Sequence, residues 1–105
     1  MSLEERIDEL TQGWDLVKKK MFSGYGYMAQ GNLAFGTHKK EQLIIRAGEE
    51  KSAKLLKSPG IRVFDITGRP MKNWFMAEAK AFDTDEKLLE LLKTGRDYAL
   101  TLPPK

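Results

Sequence analysis

Three groups of residues in this chain are of types that do chemistry. Gly24-Tyr25-Gly26-Tyr27-Met28-Ala29 fits the loose pattern G-x-G-x-x-A of dinucleotide-binding turns. That turn must join a strand to a helix, so that the helix N-terminus meets the pyrophosphate. Here a helical pattern precedes and a strand pattern follows. The stretch therefore reads as a strand whose glycines admit a bulge or a close backbone approach, with Tyr25 and Tyr27 on one face. His38 is the one histidine, beside Lys39 and Lys40. A nucleophilic centre needs such a base between a hydroxyl and an orienting acid, and nothing places Ser23 or Asp65 near it, so it reads as an exposed turn residue. Asp83, Asp85 and Glu86 suit acid–base or hard-cation work, but they fall at a helix start, where capping accounts for them. No catalytic residue, cofactor or metal is assigned, and the expectation is a protein that is not an enzyme.

Binding residues are the other possibility. Lysines 18, 19, 20, 39, 40, 51, 54 and 57 could form a phosphate-binding face, with Tyr25, Tyr27 and Trp74 stacking on bases. No RNP motif, GXXG loop or helix-turn-helix pattern accompanies them, so a solvated surface is the plainer reading. Trp74-Phe75-Met76 is an apolar run. Alternation puts Phe75 on one face and Trp74 with Met76 on the other. One set must face away from the helices, either under loops or as a dimer or partner surface. Tyr25, Tyr27, Trp74 and Met76 are thus the candidate partner-binding residues.

The elements that hold these residues follow from periodicity. Leu3, Ile7, Leu10, Trp14, Val17 and Met21 recur at spacings of four and three, which predicts one amphipathic helix. Ser2 and Glu5 form a capping box at its start, and Lys18 to Lys20 occupy its last turn. Residues 22–47 read as a meander of three strands, with turns at Gln30-Gly31-Asn32 and at 38–41. Residues 49–57 read as a short helix with acids first and lysines last. Strands follow at 61–67 and 71–79 around Gly68-Arg69-Pro70. Asp83 with Glu86 resembles a second capping box. Leu88, Leu91, Leu92, Gly95, Tyr98, Ala99 and Leu102 mark one face of a terminal helix, stopped by Pro103-Pro104. The expected fold is a two-layer α+β domain spanning residues 1–105: helix-β-β-β-helix-β-β-helix, with an antiparallel sheet of about five strands and helices on one face.

Composition sets the outer bounds. A chain of 105 residues, 41% hydrophobic and 31% charged, is one ordinary globular domain that buries roughly 65% of its unfolded surface. It has no cysteine, so disulfides and thiolate chemistry are excluded, and a reducing, cytoplasmic location is expected. The acidic start lacks the apolar core of a signal peptide, and no apolar run is long enough to span a membrane. A net charge of +3 gives at most weak steering toward acidic partners.

Several segments together resemble the N-terminal domain of the TfoX/Sxy family. They are Lys20-Met21-Phe22-Ser23-Gly24-Tyr25-Gly26, Gly31-Asn32-Leu33-Ala34-Phe35-Gly36, Leu43-Ile44-Ile45-Arg46, Gly68-Arg69-Pro70-Met71 and Leu100-Thr101-Leu102-Pro103-Pro104-Lys105. The resemblance runs from about Val17 to the end. It implies a secretion-chaperone-like α+β fold and a non-enzymatic, regulatory role. Named members are linked to competence and act with the transcriptional machinery; they carry a second, helical domain, and the expectation here is a standalone first domain. A homodimer or another protein is the expected partner. A nucleic-acid-associated protein and a small-molecule-binding domain remain the alternatives.

Overall fold

In the computed structural model, which describes residues 2–21, 24–39, 42–64 and 73–104, Ser2 opens the first helix as the capping box requires. The Glu5 amide donates to Ser2 Oγ (3.2 Å) and the Ser2 amide to Glu5 Oε1 (3.1 Å). Helix α1 (Leu3–Leu10) buries Leu3 and Ile7 and ends at Thr11. Here the sequence expectation is corrected, because the apolar stripe from Leu3 to Met21 does not form one helix. Gly13 takes φ +86°, a left-handed conformation that cannot propagate a helix. The chain then runs into strand β1 (Val17–Met21). The even spacing of four between Val17 and Met21 also fits one face of a strand, and β1 has a partner to pair with. Lys18, Lys19 and Lys20 therefore stand on a strand rather than in a helix's last turn.

The meander follows. Strand β2 (Gly24–Ala29) joins β3 (Asn32–His38) through Gln30 and Gly31, both at positive φ (51° and 83°). A two-residue turn of that kind matches the strands' right-handed twist. Strand β4 (Gln42–Arg46) pairs with β3. Helix α2 (Glu49–Leu56), β5 (Ile61–Val63), β6 (Trp74–Ala77), a 3-10 turn (Ala79–Ala81) and helix α3 (Asp85–Leu100) complete the chain. Among the described residues the sheet has six strands, all antiparallel, in the order β1-β2-β3-β4-β6-β5. The sixth is β1. The α+β architecture is otherwise as expected. The expected ends of the last two strands and the Gly68-Arg69-Pro70 turn, together with Phe22, Ser23, Lys40, Glu41 and Asp65, lie outside the described residues.

The second expected capping box is also corrected. Thr84 is the N-cap of α3, its Oγ1 accepting from the Lys87 amide at 3.2 Å. Asp83, one residue earlier, pairs with Lys87 Nζ at 3.0 Å.

One register row sets the inner layer: Lys18, Tyr27, Phe35, Ile45, Phe75 and Val63 are successive partners across all six strands. Phe35, Ile45 and Phe75 pack into a core with Leu3 and Ile7 of α1 and with Leu88, Leu92 and Ala99 of α3. Helix α3 lies close over β3; a Cβ on Gly95 would strike the Ala34 carbonyl. No helix among the described residues is long and apolar enough to cross a membrane.

Candidate functional site

The neighbouring register row faces the other way. Lys19, Gly26, Gly36, Ile44, Met76 and Arg62 are its successive partners. None of them belongs to the core cluster that the helices cover, although Met76 is buried. Two glycines in this row leave the middle of the sheet without side chains, and a groove of about 340 Å³ results. Its walls are Met21, Leu33, Ile44, Phe64 and Trp74. The lining is almost wholly apolar.

Local chemistry explains how these side chains are held. Of the two glycines, Gly36 excludes a larger residue because its clash is with backbone, whereas at Gly26 the flexible Met21 side chain can move aside. A Cβ on Gly36 would lie 2.5 Å from the Tyr25 carbonyl oxygen, and one on Gly26 would collide with Met21 Sδ. The Tyr25 amide donates to Thr37 Oγ1 at 2.9 Å, which ties β2 to β3 beside the groove. The Arg46 guanidinium lies between two rings, 4.8 Å from the centroid of Trp74 and 5.3 Å from that of Tyr98. Such cation–π contacts fix the indole's position. Phe64 is buried, hydrogen-bonded through its amide to the Trp74 carbonyl (2.9 Å), and edge-on to His38 at 5.8 Å.

The four residues singled out from sequence divide between the two layers. Trp74 lines the groove, whereas the Tyr25 ring packs against the core beside Tyr27, both facing Lys18 as the alternation predicts. Met76 belongs to the same face but is 6% exposed, with its sulfur accepting from Arg62 Nη2 at 3.3 Å. Tyr27 is 3% exposed and part of the core, stacked on Phe35 at 5.2 Å. His38, read as an exposed turn residue, is instead the last residue of β3, half-buried on the groove wall. Sequence reasoning missed Ile44, Leu33 and Phe64. The alternation within β4 was the signal that could have placed Ile44 opposite Ile45.

A second cluster has the residue types of an acid–base site. Tyr27 Oη donates to Asp8 Oδ1 (2.7 Å), and Lys18 Nζ bonds Asp8 Oδ2 (2.9 Å) and Glu4. Lys18 also lies 4.6 Å from the Tyr25 ring centroid. Burial, reinforced by the Asp8 carboxylate, pushes the Tyr27 phenol far above its ordinary pKa. Burial alone would lower Lys18, but its bonds to Glu4 and Asp8 outweigh it and the net shift is upward. Neither group can exchange a proton readily near neutrality, so the cluster acts as a clasp between α1 and the β1–β2 edge. Its linkage to stability has a definite sign. Both groups hold their protons more firmly in the folded chain, so their contribution is complete below the unfolded values near pH 10. It is lost as pH rises through the higher folded values. Urea midpoints should fall from about pH 9 to about pH 11, and Tyr27→Phe should fall less steeply. An identical slope in both proteins would contradict this assignment.

Asp83, Asp85 and Glu86 do not form a joint site. The Lys87 hydrogen bond holds the Asp83 carboxyl below its ordinary pKa, and Asp85 accepts from Arg6 Nη2 at 3.2 Å. Among the described residues no group of three or more histidines and carboxylates could hold a metal ion. The lysines are also dispersed. Lys18 to Lys20 lie on β1 at one sheet edge, whereas Lys51 and Lys54 lie on α2, which packs on β5 at the other.

The model of one protein family, the TfoX N-terminal domain, matches residues 8–99. No curated protein and no solved structure matches the chain.

Proposed function

The chain belongs to the TfoX N-terminal domain family, and from that premise we propose that it is a non-enzymatic protein-interaction module with a regulatory role. Its contact surface is the groove on the face of the sheet that no helix among the described residues covers. The single observation that carries this reading is the groove's lining. A small-molecule site needs a few convergent polar groups to orient its ligand. This groove instead presents Met21, Leu33, Ile44, Phe64 and Trp74 around a bare glycine floor, with His38 and Thr37 as its polar side chains among the described residues. Aromatic and methionine side chains in a concave apolar setting are what buried interface centres use. The occupant is an apolar segment of another protein chain. The link to competence and transcription carried by named family members is consistent with such a module, and its biological process follows from whichever partner docks.

Ile44→Glu tests the reading. Ile44 is only half-buried and lies on the groove wall, away from the core. The variant should keep its circular dichroism spectrum and melting temperature. It should bind the wild-type chain's partner at least about 30-fold more weakly, the effect of a hot-spot loss of roughly 2 kcal/mol. Partners are identified by pull-down and mass spectrometry, and self-association by light scattering. A partner set and affinity unchanged by both Ile44→Glu and Trp74→Ala would sink the proposal. Loss of a wild-type dimer in both variants would make the second copy the occupant.

A further inference from the structure

A second groove, of about 290 Å³, lies on the helical side, beside β5. Its walls come from α2 with its following turn, from the 3-10 turn and from α3. Lys51, Lys54, Leu55 and Ser58 sit at positions i, i+3, i+4 and i+7, and so do Lys87, Glu90, Leu91 and Thr94. Each set forms one stripe of a helical repeat. The two stripes border the same groove, with Leu55 and Leu91 contributing apolar lining. Lys80 joins from the 3-10 turn. Four lysines therefore line the groove against one glutamate.

Three of these four cations are uncompensated by the described residues. Among the described residues, Lys51, Lys54 and Lys80 have no carboxylate within ion-pair distance. Lys87 is paired with Asp83 at 3.0 Å. The turn before β5 is shaped to admit Lys80. Gly60 has φ +85°, and a Cβ there would lie 2.7 Å from Lys80 Cγ. The Glu78 amide donates to the Gly60 carbonyl at 2.8 Å, which docks the start of the 3-10 turn on it. Ser58 and Thr94 spend their hydroxyl protons on the Lys54 and Glu90 carbonyls. The lysine ammonium groups are thus the available donors. Like charges converging on one concave site cost free energy that a multiply charged anion relieves.

We infer that this groove binds a phosphate-bearing small molecule. The inference is independent of the sheet face and of its partner. The apolar lining favours a ligand with a carbon skeleton over an extended polyanion, which would need charge spread along a surface. The test uses the full chain, labelled with nitrogen-15 and titrated with inorganic pyrophosphate at low salt. Saturable amide shifts are expected around Lys51, Lys54, Lys80 and Lys87. The double variant Lys54→Ala/Lys80→Ala, both exposed positions, should weaken binding about tenfold or more. Lys19→Ala/Lys20→Ala, which removes the same charge at the opposite sheet edge, should leave it unchanged. Absence of saturation, or equal weakening in both double variants, would overturn the site. A short single-stranded oligonucleotide that displaces pyrophosphate at lower concentration would reassign the groove to nucleic acid and overturn the small-molecule reading.

Discussion

Gly95→Ala should lower the urea midpoint sharply and cost about 2–3 kcal/mol, even though alanine is the better helix former by about 1 kcal/mol. Gly95 lies within α3 where the helix crosses β3. A methyl group there would run into the Ala34 carbonyl oxygen and sit 3.1 Å from its carbon. Both contacts are backbone, so no side chain can rotate away, and relief requires α3 to lift from the sheet. For a domain of this size the melting temperature should drop by on the order of 10–20 °C. Gly13→Ala is the control. Its φ is +86° but nothing lies within 4 Å of a built Cβ, so only conformational strain applies, about 1 kcal/mol. A Gly95→Ala protein as stable as wild type would refute the close approach.

Phe35→Ala should cost about 3–5 kcal/mol, a large fraction of the 5–15 kcal/mol that such domains possess. Phe35 is fully buried at the centre of the inner register row. Its ring stacks on Tyr27 and meets Trp14 edge-on at 6.4 Å. Truncation leaves a cavity between β3 and α3 that backbone atoms cannot collapse to fill. Loss of the near-ultraviolet dichroism of Trp14 and Tyr27 would report it alongside the denaturation midpoint. A cost below about 1 kcal/mol would mean that the core closes around the gap. Because Phe35 also lies beside Gly95, the two substitutions should not be additive.

Much of this organisation was legible in the residues, because local rules governed it. The Ser2–Glu5 cap, the Gln30-Gly31 turn and the Leu88–Leu91–Leu92–Gly95–Ala99 face of α3 each depend on residues within a few positions of one another. What was not legible depended on partners distant in sequence. The helix expected to reach Met21 stops because Gly13 turns the chain and β2 offers Val17–Met21 a pairing edge. Nothing near Trp14 announces that edge. The groove was half visible. Alternation put Trp74 opposite Phe75, but Gly26, Gly36 and Ile44 became its floor and wall only through the β2-β3-β4 register. Alternation put Tyr25 and Tyr27 on one face, where both rings meet Lys18, but only the fold brings the Tyr27 phenol to Asp8, 19 positions earlier.

The strand order has a consequence for biosynthesis. Strands β1 to β4 are sequential neighbours, so their hairpins can close on the ribosome as the chain emerges N-terminus first. The cover for their inner face comes chiefly from α3, which is made after all six strands. Until those final turns appear, the nascent meander shows Phe35, Leu43 and Ile45 to water. That interval is when the chain is most open to capture by a chaperone or to coalescence with its neighbours on the same message.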